Sequence, residues 1–194
     1  MFYNSSHGYS LAELVFVCGL VATLSGIAIP ELLTAMDDYR TAGAARYLST
    51  RLHQARMEAV KRSADVALRF VASSEGFTYT VYVDGNRNGV RTHDISAGID
   101  WPLSPVERMS NQFPGIDFGL LPGLPSIDGG PPPGSDPIKL GSSNLLSFSA
   151  AGTSSSGSVY IRGHNAQYVV RVFGETGKIR LLKFLARTQQ WIQI

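Results

Sequence analysis

Residues 9–29 read YSLAELVFVCGLVATLSGIAI, an almost unbroken apolar stretch near the N-terminus. Glu13 is the only acidic or basic residue in it. An α-helix of this length extends about 30 Å, which is the thickness of the hydrocarbon core of a bilayer. A cleaved secretory signal would have a shorter apolar core after a basic segment, whereas here helix-forming sequence continues beyond Pro30. The stretch therefore predicts a transmembrane helix over residues 9–29.

Glu13 lies where a charged side chain is costly. Insertion scales put a carboxylate at the centre of a membrane helix at about 2.5–3.5 kcal/mol, so such a group usually has a partner. One alternative is a protonated carboxyl, or one that reaches the nearby interface. The other is a positive group supplied by another subunit. The residues alone leave both alternatives open.

An amphipathic pattern follows Pro30 and predicts a stem helix over residues 30–63. Its apolar positions recur at three- and four-residue steps. They are Leu33, Met36, Ala44, Tyr47, Leu48, Leu52, Ala55 and Ala59. We expect this stripe to pack on the protein's own sheet and the arginines between its members to form a solvated face. Pro30 is expected to kink the long helix without ending it, because membrane helices tolerate proline.

From Val66 the apolar pattern changes to that of strands. Alternation of β-branched or aromatic residues with polar ones predicts five strands, at residues 66–72, 77–83, 158–163, 167–174 and 178–184. Residues 113–137 contain seven of the ten prolines. We expect them to form a loop at the domain edge, because proline cannot donate to a β-ladder. The predicted fold is α+β, with a long N-terminal helix packed on an antiparallel β-sheet domain at residues 64–194.

The composition argues against several classes of protein. Charged residues make up 16% and apolar residues 44%, which is too few charges for a soluble helical bundle and too apolar for a disordered chain. The single cysteine, Cys18, lies in the apolar stretch, so the domain has neither disulfides nor a multi-cysteine zinc site. The sequence contains no metalloprotease histidine pair, nucleophile elbow or phosphate-binding loop. We therefore expect no catalytic activity.

Residues 8–15, GYSLAELV, resemble the processing site of type IV prepilins and of type II secretion pseudopilins. The resemblance implies that residues 1–8 are a leader and that prepilin peptidase cleaves between Gly8 and Tyr9. It also implies that the new amino group of Tyr9 is N-methylated. Tyr9 stands where phenylalanine is commoner. The leader also lacks Lys and Arg, which such leaders usually contain, so charge does not predict the orientation in the membrane.

The same resemblance gives roles to two further residues. It implies that Glu13 meets the charged terminus of a neighbouring subunit during assembly. It also places Pro30 where this family commonly has a helix-kinking proline.

Residues 51–62, 148–163 and 169–181 resemble the GspH/FimT branch of minor pseudopilins and pilins. This resemblance implies a subunit of a type II secretion system or a type IV pilus that primes or caps a short helical fibre. The implied partners are other pilin-like subunits and prepilin peptidase. The implied location is the inner membrane, crossed once, with the C-terminal domain in the periplasm.

Residues 84–89, DGNRNG, carry the first half of a possible calcium loop. Asp84, Asn86 and Asn88 place oxygens at the first, third and fifth positions, and a glycine follows at the sixth. Thr92 and Asp94 offer further oxygens. Position twelve, however, is an isoleucine where a bidentate acid is expected. A tight turn rich in Asp, Asn and Gly explains the same residues without metal, and both alternatives stay open.

The C-terminal part of the chain is basic, although the net charge is only +2. Residues 151–194 hold six Lys or Arg against a single Glu. Lys178 and Arg180 lie two residues apart on a predicted strand, so they project from one face of it. Arg162, Arg171, Lys183 and Arg187 would extend a surface that follows a phosphate backbone.

Residues 177–180, Gly-Lys-Ile-Arg, resemble the glycine-arginine-x-arginine motif with which FimT-like pilins bind DNA. Lysine replaces the first arginine of that motif. The resemblance implies an alternative function, DNA binding for uptake in natural transformation. A solvated sheet face, or a contact with acidic neighbouring subunits, explains the same charges and stays open.

Overall fold

The structure, a computed structural model, describes residues 8–194. The predicted leader therefore lies outside the described residues, apart from Gly8. The chain divides into two compact units, one ending at Met36 and the other comprising Asp37–Ile194.

One long helix, α1 (Leu11–Arg62), runs without interruption through Pro30. It ends at the predicted place, because Ser63 takes a positive φ of 51°, a left-handed backbone conformation that commonly stops helices. The basic residues in its last turn, Lys61 and Arg62, interact favourably with the negative end of the helix dipole. Within residues 8–194, α1 is the one helix long and apolar enough to cross a membrane, a test that an N-terminal signal sequence also passes.

The apolar stripe of α1 is buried only from Thr41 onward. Eight residues of the helix are buried there: Thr41, Ala42, Ala44, Ala45, Leu48, Leu52, Ala55 and Ala59. The prediction is confirmed for Ala44, Leu48, Leu52, Ala55 and Ala59. It is wrong for Leu33 and Met36, which are exposed. Helical periodicity identified the correct face of the helix but not the point where the sheets begin to cover it.

The remaining elements within residues 8–194 are short helices and antiparallel strands. The helices are α2 (Thr92–Ser96) and α3 (Met109–Gln112). The strands are β1 (Val66–Ser73), β2 (Gly76–Val83), β3 (Trp101–Pro102), β4 (Glu107–Arg108), β5 (Asp117–Phe118), β6 (Ile138–Lys139), β7 (Leu145–Phe148), β8 (Gly157–Arg162), β9 (Gln167–Phe173), β10 (Lys178–Leu185) and β11 (Gln190–Gln193). All five predicted strands are present.

The strands form two sheets. The first has the order β3-β2-β1-β7, and β4 also pairs with β2. The second has the order β11-β10-β9-β8-β5, and β6 also pairs with β8. Of the proline-rich residues 113–137, only the two residues of β5 are in a strand, and they lie at the edge of the second sheet. The α+β class is confirmed, with two sheets in place of one.

One hydrophobic core joins α1 to both sheets. Leu48 and Leu52 of the helix are fully buried in it. Phe70 and Tyr79 of the first sheet meet Phe118 of the second, with ring centroids 5.4 and 6.0 Å from Phe118 in edge-to-face geometry. Such pairs contribute beyond their buried area. The core therefore fixes the inner face of the second sheet against the helix.

Candidate functional site

Glu13 takes part in a capping box at the start of α1. The backbone N–H of Ser10 donates to Oε2 of Glu13 at 3.3 Å, and the N–H of Glu13 donates to Oγ of Ser10 at 3.2 Å. This reciprocal arrangement satisfies two amides that otherwise lack partners in the first turn. The Ser-x-x-Glu spacing is the sequence signature of this capping box. The sequence-based interpretation of Glu13 considered only its depth in the membrane and missed the box. Glu13 therefore has a structural role even in an isolated subunit.

The predicted processing bond lies just before the helix. Gly8 and Tyr9 have neither helical nor strand structure and are exposed, with Tyr9 88% accessible. A peptidase needs such accessible, irregular backbone. Pro30 lies in the interior of α1. Cleavage after Gly8, methylation of Tyr9, the assembly role of Glu13 and the kink at Pro30 stay predictions.

Asp37 of the stem binds the turn between β8 and β9. Its carboxylate accepts hydrogen bonds from the backbone N–H groups of His164, Asn165 and Ala166, at 2.8, 2.7 and 3.0 Å. Gly163 lets the turn come this close, because a Cβ atom there would lie 2.5 Å from Oδ1 of Asp37. One carboxylate of the helix thus holds a turn more than 120 residues later in the chain.

Asp38 binds the inner face of the second sheet. Its Oδ1 accepts a hydrogen bond from the Tyr168 hydroxyl at 2.9 Å, and its Oδ2 pairs with Nζ of Lys183 at 2.6 Å. Burial, followed by the hydrogen bond to Asp38, raises the pKa of Tyr168, so its hydroxyl stays a donor. Lys183 is therefore an internal partner of the stem.

Arg56 binds the next turn of the same sheet. Its guanidinium donates to the carbonyl oxygens of Thr176 and Gly177, at 3.1 and 3.3 Å. Arg51 is also engaged, because it pairs with Glu107, which accepts the Tyr47 hydroxyl at 2.7 Å as well. The expected solvated arginine face is therefore wrong for Arg51 and Arg56. Both reach partners more than 50 residues away, which a local pattern does not reveal.

The loop at residues 84–100 is closed by three buried aspartates. Asp84 accepts the backbone N–H groups of residues 86, 87 and 89, and Asp100 accepts those of residues 85 and 91. Asp94 accepts Nδ2 of Asn88 at 3.0 Å and of Asn86 at 3.4 Å. The hydrogen bond from His93, reinforced by that from Asn88, lowers the pKa of Asp94.

These hydrogen bonds match the turn alternative for the same loop. Within the described chain, no group of three or more His, Cys, Asp or Glu side chains could hold a metal ion. Calcium binding by Asp84, Asn86 and Asn88 stays a prediction.

The basic residues of the C-terminal part lie on two faces of the second sheet. Arg180 of β10 is directly opposite Arg171 of β9, and Lys178 is opposite Phe173 in the same row. Arg162 of β8 is opposite Gln167, which shares its face with Arg171. Because side chains alternate along strands, these four basic residues lie on the outer face of the sheet.

Lys183 does not join this outer face. It is three residues from Arg180 and therefore points inward, to Asp38. The two-residue period of the predicted strand already implies that Lys183 and Arg180 lie on opposite faces. Arg187 lies in the exposed turn between β10 and β11. Of the six basic residues predicted to form one surface, four therefore share the outer face: Arg162, Arg171, Lys178 and Arg180.

Phe173 contacts both Arg171 and Arg180. The guanidinium carbon of Arg171 is 5.3 Å from the ring centroid, and that of Arg180 is 5.0 Å from it. Both distances fall within the range of cation–π contacts. Both guanidinium groups thus lie close to one ring, and guanidinium groups bind phosphate or carboxylate oxygens well.

A capped apolar N-terminal helix that continues into the core of an α+β domain defines a pilin-like protein. The family model described as Type II transport protein GspH matches residues 44–176, and the chain belongs to this family. The matched residues include most of the stem and parts of both sheets. The predicted processing site, Lys178 and Arg180 lie outside them.

A curated relative supports the same class. The pilin-like protein PilA1 of Thermus thermophilus is 38% identical over 84 residues, which are 42% of this chain and 50% of the relative. The chain thus spans about half the length of this relative. No solved structure matches the chain.

Proposed function

We propose that this chain is a minor pilin-like subunit of a type II secretion system or a type IV pilus. It waits in the inner membrane through residues 9–29, with residues 64–194 in the periplasm. Prepilin peptidase removes residues 1–8 and the new N-terminus is methylated. The subunit then joins other pilin-like subunits in a short helical fibre that it primes or caps. Its role is structural, without catalysis.

One observation carries this proposal: a single helix serves two different environments. Its first part exposes apolar side chains throughout, and within the candidate span no residue is buried. Its second part, from Asp37, is fixed in the domain by the packing of its buried residues and by the contacts of Asp37, Asp38 and Arg56. Membership of the GspH family and the pilin-like relative support the same function.

The mass of the mature N-terminus tests this proposal. When the full chain is expressed with prepilin peptidase, we expect mass spectrometry to find a chain that begins at methylated Tyr9. Gly8→Val is expected to leave the chain uncut, because a branched side chain replaces the glycine at the scissile bond. Expression without the peptidase is the control. A wild-type chain that keeps its leader beside active peptidase would contradict the proposal.

A second candidate function is DNA binding, favoured by the row formed by Arg171, Arg180 and Lys178 on the outer face. Three cations on adjacent positions of two strands suit a polyphosphate backbone. This function is compatible with the first, since a fibre subunit can present that face outward.

Duplex binding by the full chain in non-ionic detergent, measured by fluorescence anisotropy over a salt series, tests the second candidate. We expect Lys178→Ala/Arg180→Ala to weaken binding and to lower the slope of log affinity against log salt by about two, one for each lost phosphate contact. Arg40→Ala/Arg46→Ala removes the same charge from exposed positions of the stem and is the matched control. Equal losses in the two double variants would indicate non-specific charge attraction and reject this site.

A further inference from the structure

The proline-rich segment at residues 119–137, called the strap below, is attached to the outer face of the second sheet. Near its start, Gln167 accepts the N–H of Leu121 at 2.9 Å and donates to the carbonyl of Gly119 at 3.1 Å. The indole N–H of Trp191 donates to the carbonyl of Pro125 at 3.0 Å. Its far end continues into β6, which pairs with β8. Both ends of the strap are therefore anchored to the sheet.

Asp128, in the middle of the strap, contacts the row formed by Arg171, Arg180 and Lys178. Asp128 pairs with Arg171, with Oδ2 2.5 Å from Nη1. Oγ of Ser126 accepts the backbone N–H groups of Asp128 and Gly130, at 3.2 and 3.1 Å, and so shapes the turn that presents this carboxylate. The Asp128 side chain is 62% exposed. An ion pair this exposed is weak, so an external anion can replace the carboxylate.

The position of Arg171 beside a second arginine favours the binding of an anion. Arg180 is its direct cross-strand neighbour, and like charges in that position repel each other. Both guanidinium groups lie against Phe173. Nε of Arg180 is buried and has no hydrogen-bond partner within the described residues. The arginine pair thus carries two charges, and the strap neutralises one of them.

We propose that the strap is a built-in competitor of DNA, in which Asp128 occupies the place on Arg171 that a backbone phosphate takes in the complex. The inference rests on the second candidate function and adds its regulation. When DNA binds, a phosphate displaces the Asp128 carboxylate, and Arg171 joins Arg180 and Lys178 in one row of phosphate contacts. The strap lowers affinity for weakly charged anions and leaves the row to ligands with several phosphates.

The test compares the full-length wild type with Asp128→Asn and Glu175→Gln, each in non-ionic detergent with a fluorescein-labelled duplex. Both variants remove one negative charge without a large change in shape. Glu175 lies in the exposed turn beside Lys178 and has no ion pair within residues 8–194. We expect Asp128→Asn to bind about two- to fivefold more tightly, because a phosphate no longer has to displace a carboxylate from Arg171. The slope of log affinity against log salt should stay nearly the same, because Arg171 contacts a phosphate in both complexes. Glu175→Gln is expected to increase the affinity much less.

A double variant separates the strap from a general charge effect. In an Arg171→Gln background, Asp128→Asn is expected to give no gain, since the group that it frees is gone. Equal gains from Asp128→Asn and Glu175→Gln, or a gain that survives Arg171→Gln, would overturn the strap proposal. Asp128→Asn binding no more tightly than a wild type that binds DNA would overturn it too, and would leave DNA binding intact. No binding by either protein at low salt would reject both.

Discussion

Glu13→Ala is expected to remove the subunit from fibres while leaving it in the membrane. The alanine chain loses the only acidic group in residues 9–29, so insertion into lipid becomes easier. Assembly, in the proposed function, uses this carboxylate to attract the terminal amine of a neighbouring subunit. We expect recovery of the variant in sheared fibres to fall at least about tenfold, which corresponds to a loss of about 1.4 kcal/mol.

The capping box complicates this experiment and also supplies its control. Glu13→Ala removes both the negative charge and a hydrogen-bond partner of Ser10. Ser10→Ala also breaks the box, at a cost of about 0.5–2 kcal/mol in helix stability, but keeps the carboxylate. If the charge directs assembly, Ser10→Ala enters fibres and Glu13→Ala does not. Equal loss in both would assign the effect to helix capping and contradict the assembly role of Glu13.

Asp37→Ala is expected to be among the most destabilising single changes in the domain. The substitution leaves three backbone N–H groups of the turn at residues 164–166 without their acceptor. Hydrogen bonds to a charged acceptor contribute about 1.5–3 kcal/mol each, although water replaces part of that at this half-exposed site. We expect a loss of about 2–4 kcal/mol in the free energy of unfolding, measured by urea denaturation of the full chain in detergent.

Asp37→Asn and Asp38→Ala are the comparisons for this prediction. Asparagine keeps one carbonyl oxygen as acceptor, so it should lose about half as much stability. Asp38→Ala removes an ion pair and one hydroxyl contact from the adjacent residue. An unfolding midpoint of Asp37→Ala equal to that of wild type would show that the turn does not depend on this carboxylate.

The local patterns of the sequence predicted the helix and the principal strands. Alternation in residues 66–83 and 158–184 located β1, β2, β8, β9 and β10 within about one residue, because strands of six to eight residues are long enough to show the two-residue period. The short strands β7 and β11 were missed, since four residues carry too little periodicity. The division into two sheets was missed as well, because it depends on which strands pair across long stretches of chain.

The polar contacts of the site were the least predictable part. Asp37, Asp38 and Arg56 looked like ordinary surface charges of an amphipathic helix, yet their partners lie 120 or more residues away. No short-range pattern encodes such distances. The shared face of Lys178 and Arg180 was predicted because the two residues lie two positions apart on a strand. The contact of Asp128 with Arg171 was not predicted, because Asp128 lies in a loop without periodicity.

The stem contacts the second sheet at two turns, and these two contacts constrain the length of the helix between them. Asp37 and Arg56 are separated by about 28 Å along the helix, and β9, between the two turns, is about 23 Å long. The helix therefore holds both ends of this strand, one through each side chain. Inserting one residue between positions 37 and 56 would rotate one of these two side chains about the helix axis by about 100° relative to the other. The length of this segment is therefore far less free to vary than its exposed side chains.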